Sequence, residues 1–210
     1  TFIASIIKSF VMLKVQDRNC KGIEQLLVGS LIQSDKTSQF LCCSQCHVCS
    51  LCSTHNSVIT CNTSHYYYEQ IQKAVSIPII DMIHESVAYA VRELPDVKRI
   101  GIMGTDGTIG SRIYHKECRK LGVTPVKPSP ERQRDVMSLI YDDIKSGKRG
   151  DRAKFDRVMS EFMRKNCDAV ILACTELSVF KGKHEIPTIC LDAMDVLVRE
   201  AILRSGAEYQ

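Results

Sequence analysis

From Ser57 onward, apolar runs of four to six residues alternate with polar-faced segments of about ten residues or more, and few folds accept that order. The runs at 57–60, 77–81, 99–103, 169–173 and 187–192 read as strands, with a short strand and loop at 125–130. The segments at 65–74, 83–93, 111–121, 131–145, 151–166 and 194–204 read as helices. A glycine turn is expected at 104–107 and a short helix or turn at 176–180. Short apolar strands separated by helices imply parallel pairing through crossover connections. The expected fold class is α/β, as two similar doubly wound parallel-sheet (Rossmann-like) domains facing a shared cleft.

Two stretches repeat one pattern. S-V-I-T-C-N-T-S-H (57–65) and A-V-I-L-A-C-T-E-L (169–177) are each an apolar run ending in Cys, then a Thr-bearing polar turn and a helix. Each leads on to an Ile-Pro strand start, Ile77-Pro78 and Ile186-Pro187. Pro95-Asp96 breaks the chain between them. An N-terminal α/β domain, 1–95, would therefore carry Cys61 and be completed by the C-terminal helix at about 193–210. A second α/β domain, 96–192, would carry Cys174.

The carboxyl end of a parallel strand is where such folds place reactive groups. A helix start there is expected to favour thiolate at both cysteines. Two thiols flanking one carbon suit a definite reaction. One ionised thiol removes a proton from a carbon beside a carboxylate, and the other thiol returns a proton to the opposite face. Loop amides with Thr and Asn side chains would steady the charge that develops. The alternative for either cysteine is a small buried hydrophobe. The polar residues that follow, Asn62, Thr63, Ser64 and His65 in one case and Thr175 and Glu176 in the other, oppose it.

Bulk properties narrow the classes. Hydrophobic residues make up 44% of the 210, which suits a packed core. The net charge of +4 comes from dispersed basic residues, so nucleic acid is not an expected partner. No signal-peptide pattern and no bilayer-spanning run are read. The 11 cysteines are odd in number and irregularly spaced, which points to reduced thiols and a cytoplasmic location.

Three ordered motifs, C-N-T-S-H at 61–65, G-I-M-G-T-D-G-T-I-G-S at 101–111 and A-C-T-E-L-S at 173–178, resemble the aspartate/glutamate racemase family. The resemblance runs from Val58 to about Ile202. Glutamate racemases usually carry C-T-H at the second motif, so C-T-E-L resembles the cofactor-independent aspartate branch. The resemblance implies an isomerase of amino-acid metabolism that interconverts L- and D-aspartate with Cys61 and Cys174 as the two acid/bases. It implies no cofactor, no metal, an aspartate or glutamate ligand and a homodimer, and the lack of a bilayer-spanning run argues against a membrane partner. Broad-specificity racemase, glutamate racemase and a non-catalytic carboxylate-binding relative are the alternatives.

By the same resemblance Asn62, Thr63 and Thr175 would bind the substrate's α-carboxylate or amino group, and Thr105 and Thr108 would line the pocket. Glu176 would orient the second thiol or the amino group. Lys145, in D-D-I-K-S-G, resembles the family lysine that holds the side-chain carboxylate; a solvated lysine at a helix end is the alternative. Arg18, in Q-D-R, resembles the arginine of the same clamp, with a surface ion pair as its alternative. His65 reads as a helix-start residue that packs or caps. His84 and Glu85 read as loop residues near the cleft.

Two features depart from the family. Cys43, Cys46, Cys49 and Cys52 form a C-x-x-C-x-x-C-x-x-C run, whose thiolates could hold zinc or an iron–sulfur cluster in a separate module. The family's opening strand and glycine-rich G-G-x-G-P turn have no counterpart, so a fragment or a divergent member is expected.

Overall fold

The computed structural model describes residues 56–206 and 208–209, together with the backbone of two short strands, β1 (Phe10–Met12) and β2 (Leu27–Gly29), which pair antiparallel. Arg18 and Cys43, Cys46, Cys49 and Cys52 lie outside the described residues. The chain divides into two compact units, one of residues 1–81 with 197–210 and the other of residues 82–196.

In the first unit β3 (Ser57–Val58) pairs in parallel with β4 (Ile79–Ile80). A 3-10 turn (Thr63–Tyr67) and helix α1 (Tyr68–Ala74) make the crossover. Ile59, Ile71 and Ile79 form its small core, with Cys61, Tyr68 and Val75 packed at the edge. The Gln72 side chain donates to the Ile77 carbonyl and accepts from the Ile79 N–H at 2.7 Å, so α1 supplies the backbone partners that so short a sheet lacks.

The second unit begins with α2 (Met82–Glu93) and β5 (Arg99–Gly104). Helices α3 (Asp106–Ser111) and α4 (Ile113–Lys120) and strand β6 (Thr124–Val126) follow. Next come α5 (Pro130–Ser138), a π-helical segment (Leu139–Ile144), α6 (Arg152–Arg164) and β7 (Ala169–Ala173). Helix α7 (Thr175–Lys181) and β8 (Cys190–Asp192) close it, and α8 (Ala193–Arg204) leads back into the first unit's residues. The strands form one parallel sheet in the order β6-β5-β7-β8. The α/β class with parallel pairing is therefore what the alternation implied.

Every residue of β7 is buried, as expected of a parallel strand covered on both faces. Val170 and Leu172 meet Phe155 and Phe162 of α6, Val136 of α5 and Phe180 of α7 in one core. Gly101 is part of that packing. A Cβ on it would lie 2.8 Å from the Phe162 ring, so only glycine lets α6 come this close to β5. At the amino end of the strands, the Asp168 carboxylate accepts the N–H groups of Lys98 and Arg99, each at 2.8 Å, and holds the register of β5 against β7.

Several expected elements are redrawn. The turn at 104–107 is instead the end of β5 and the start of α3, capped by the Thr105 hydroxyl accepting from Thr108 N–H. The expected helix 111–121 is two helices, because Arg112 takes left-handed angles (φ 58°) and closes α3. The expected helix 131–145 changes hydrogen-bond register at Leu139, and Lys145 N–H bonds back to the Ile140 carbonyl at 2.9 Å. His84 lies in α2, where its ring is 2.7 Å from Glu117 of α4.

Candidate active site

The site residues of the second unit are brought together by strand register. Gly104 of β5 and Ala173 of β7 are direct partners in the parallel ladder. The residues that follow them, Thr105 and Cys174, therefore leave adjacent strands at the sheet's carboxyl edge, where partnered strands lie about 5 Å apart. Gly104 permits this. A Cβ there would meet the Ala173 carbonyl oxygen at 3.0 Å and Thr108 Cβ at 3.3 Å. The Thr105 and Thr108 hydroxyls lie 3.2 Å apart, and both residues are buried.

Cys174 has extended angles, and its carbonyl accepts the Leu177 N–H at 3.0 Å, which starts α7. The residue is half-buried, and its thiol donates to Glu176 Oε2 at 2.8 Å. The Thr175 hydroxyl donates to the same oxygen at 3.0 Å. The other carboxylate oxygen, Oε1, stands 3.5 Å from the Lys145 ammonium. Lys145 comes from the end of the π-helical segment, and its ammonium also sits 4.4 Å over the Tyr141 ring. Four residues proposed from the sequence, Lys145, Cys174, Thr175 and Glu176, thus form one connected cluster.

The electrostatics of this cluster correct one expectation. A helix start was expected to favour thiolate at Cys174. Burial instead pushes the thiol well above its ordinary range, and the charge and hydrogen bond of Glu176 push it further, while Lys145 opposes them. For Glu176, burial alone would raise the carboxyl. The hydrogen bond from Cys174, the backbone N–H, Lys145 and Thr175 outweigh it and hold the group below the ordinary carboxylate range. The resting pair is therefore a thiol beside a carboxylate.

In the first unit Cys61 is partly exposed at the edge of the isoleucine core, two residues beyond Ile59. Asn62 is buried and Thr63 opens the 3-10 turn. The His65 Nδ1–H donates to the Cys61 carbonyl at 2.9 Å, and its ring stacks on Tyr68. Burial lowers the His65 pKa, and hydrogen bonding to the Cys61 carbonyl and the charge of Asp81 counter only part of that. His65 therefore packs, as its place at a helix start suggested, and fixes the main chain that presents Cys61.

Two residues of this region went unread in the sequence. Tyr141 precedes Lys145 by four positions, a spacing that puts side chains on one helix face and was the available signal. Its ring also lines an open groove of about 520 Å³ with Asp106, Gln133 and Met137. Asp192, buried at the end of β8, accepts from the Ser178 hydroxyl at 2.7 Å and from Met194 N–H at 2.9 Å, so it ties α7 to the start of α8. An Asp between a strand and a helix is a helix-start signal.

Comparison with known proteins places the chain in a family. The family model described as Asp/Glu/hydantoin racemase matches residues 54–201. The chain belongs to that family. A broad-specificity amino-acid racemase of Bacillus subtilis, RacX, is 30% identical over 134 residues, covering 62% of this chain and 57% of that protein. A glutamate racemase of Persephonella marina is 30% identical over 127 residues, covering 59% of this chain and 47% of that protein. The chain spans about half the length of these curated relatives. Among solved structures, an aspartate racemase of Picrophilus torridus superposes with a TM-score of 0.62 at 24% identity, over 75% of this chain and 65% of that one. An aspartate racemase homologue of Pyrococcus horikoshii gives 0.64 at 19%, over 76% and 70%. These two likenesses establish the fold. No helix among the described residues is long and apolar enough to cross a membrane.

Proposed function

We propose that the chain carries the two thiols of an amino-acid racemase that moves the Cα proton of aspartate between Cys61 and Cys174. The observation that carries this reading is the Cys174 thiol, held protonated at a strand end by a hydrogen bond to Glu176, in a chain of the Asp/Glu/hydantoin racemase family. A thiol kept protonated near neutral pH is the acid that a two-base reaction needs on one face of the carbon. Cys61 acts on the opposite face.

In this reading Asn62, Thr63, Thr105, Thr108 and Thr175 hold the α-carboxylate and amino group. Lys145 and Arg18 take the side-chain carboxylate. The reaction needs neither pyridoxal phosphate nor a metal, and the protein works as a homodimer. A broader substrate range is the second reading. It is favoured by the pairing of Lys145 with Glu176, which already offsets the cation meant for an acidic side chain.

Exchange of the Cα proton for deuterium, followed for a panel of amino acids, tests chemistry and specificity together. Cys61→Ser or Cys174→Ser should each slow exchange by about 10²–10⁴-fold. Either variant keeping the unsubstituted rate would falsify the two-thiol reading.

A further inference from the structure

Lys145 does not stand apart waiting for a ligand. Its ammonium faces Oε1 of Glu176, while Oε2 of the same carboxylate holds the Cys174 proton. One carboxylate thus touches a cation on one side and a thiol on the other. The cation contact is long, 3.5 Å, and its side chain is 39% exposed, so an anion from solvent can compete for it. The thiol contact is short and the carboxylate is more enclosed, at 18% exposure.

We propose that Lys145 works as a catch on Cys174: it keeps Glu176 ionised and the thiol protonated, and a substrate carboxylate that takes Lys145 frees Glu176 to accept the thiol proton. This rests on the racemase reading for the identity of the incoming group. In the step, the S–H bond of Cys174 breaks, the electron pair stays on sulfur and the proton bonds to Oε2 of Glu176. In the direction of reaction in which Cys174 is the base, the thiolate then takes the Cα proton, and the C–H electron pair remains on the substrate as a carbanion delocalised into its α-carboxylate; in the opposite direction the Cys174 thiol is the acid. Glu176 is thereby the proton acceptor, and Lys145 is a positioning residue that sets when it accepts. Glu176 and Lys145 are the charged groups that act most strongly on this thiol among the described residues.

The catch opposes ordinary electrostatics, and this makes it testable. A cation near a thiol normally favours thiolate, so removing it should always slow alkylation. With the catch, removing Lys145 strengthens Glu176 as a base and should quicken alkylation of Cys174, but only while Glu176 is present.

The experiment is a double-mutant cycle on the full chain, using Lys145→Met and Glu176→Gln, singly and together. The readout is the rate of Cys174 alkylation by iodoacetamide at neutral pH, measured by peptide mass spectrometry. Lys145→Met should raise the rate about two- to fivefold in the Glu176 background, the range in which a half-open ion pair shifts a proton equilibrium. In the Glu176→Gln background it should leave the rate unchanged or lower it. A fall in both backgrounds overturns the proposal. Lys145→Gln serves as a second variant, with circular dichroism confirming the fold of each.

Deuterium exchange supplies the substrate arm. Lys145→Met should raise Cα exchange of alanine, whose side chain cannot release the catch, as well as weakening aspartate. A rise in KM for aspartate with no gain for alanine makes Lys145 a binding residue only and overturns the proposal. If no amino acid exchanges in the unsubstituted protein, the racemase reading fails and the substrate trigger falls with it. The alkylation cycle still decides whether Lys145 and Glu176 govern the thiol.

Discussion

Glu176 shows how one side chain changes the chemistry of its neighbour. From the sequence, the helix start after C-T-E pointed to a thiolate at Cys174. The folded geometry decides against it, since burial and the adjacent charge both disfavour thiolate at Cys174. His65 is a second case. Its pKa is lowered, so the folded state binds a proton less readily than the unfolded chain. Stability from this group is present above the unfolded value of about 6.5 and is lost as pH falls below it toward the folded value. Urea denaturation at several pH values should show that loss, and His65→Gln should remove this pH dependence. Gly101 makes a prediction of the opposite kind. Alanine there drives a methyl into Phe162, so Gly101→Ala should destabilise the protein by about 1–3 kcal/mol in the same measurement.

At the scale of elements, hydrophobic spacing located helices better than it located their internal registers. The segment 131–145 reads as one helix because its apolar positions recur at helical intervals. The change to π-helical hydrogen bonding at Leu139 shifts the following residues without disturbing that recurrence, and Lys145 ends within reach of Glu176. The left-handed angles of Arg112 were likewise invisible, because no glycine marks the break. Helix starts were more legible. Ser129 before Pro130 is a standard start signal, and the structure uses it fully. The Ser129 hydroxyl accepts from Arg132 N–H and donates to Glu161 Oε2 at 2.5 Å, which joins α5 to α6. Ser129→Ala should therefore cost about 1–2 kcal/mol, read from the denaturation midpoint.

For the molecule as a whole, the fate of the cysteines separates what composition can say from what packing decides. Eleven thiols in one chain look alike on paper. In the fold Cys118 is fully buried and its thiol is pushed up to about 12 by burial, with Glu117 adding to the effect. Cys61 is partly exposed. Iodoacetamide should label Cys61 in the native protein and reach Cys118 only in denaturant, which peptide mapping would show. The alternation of apolar runs and helices determined by itself that the chain would be α/β with parallel strands, because backbone pairing and burial leave that pattern few other solutions. The ordered Cys-bearing motifs likewise determined the family. Tertiary structure alone decided that Thr105 leaves the sheet beside Cys174, that Lys145 meets Glu176, and that the thiol at 174 keeps its proton. The first two depend on distances between residues far apart in the chain and the third on burial, and charge interactions change steeply with distance and burial in ways no local spacing encodes.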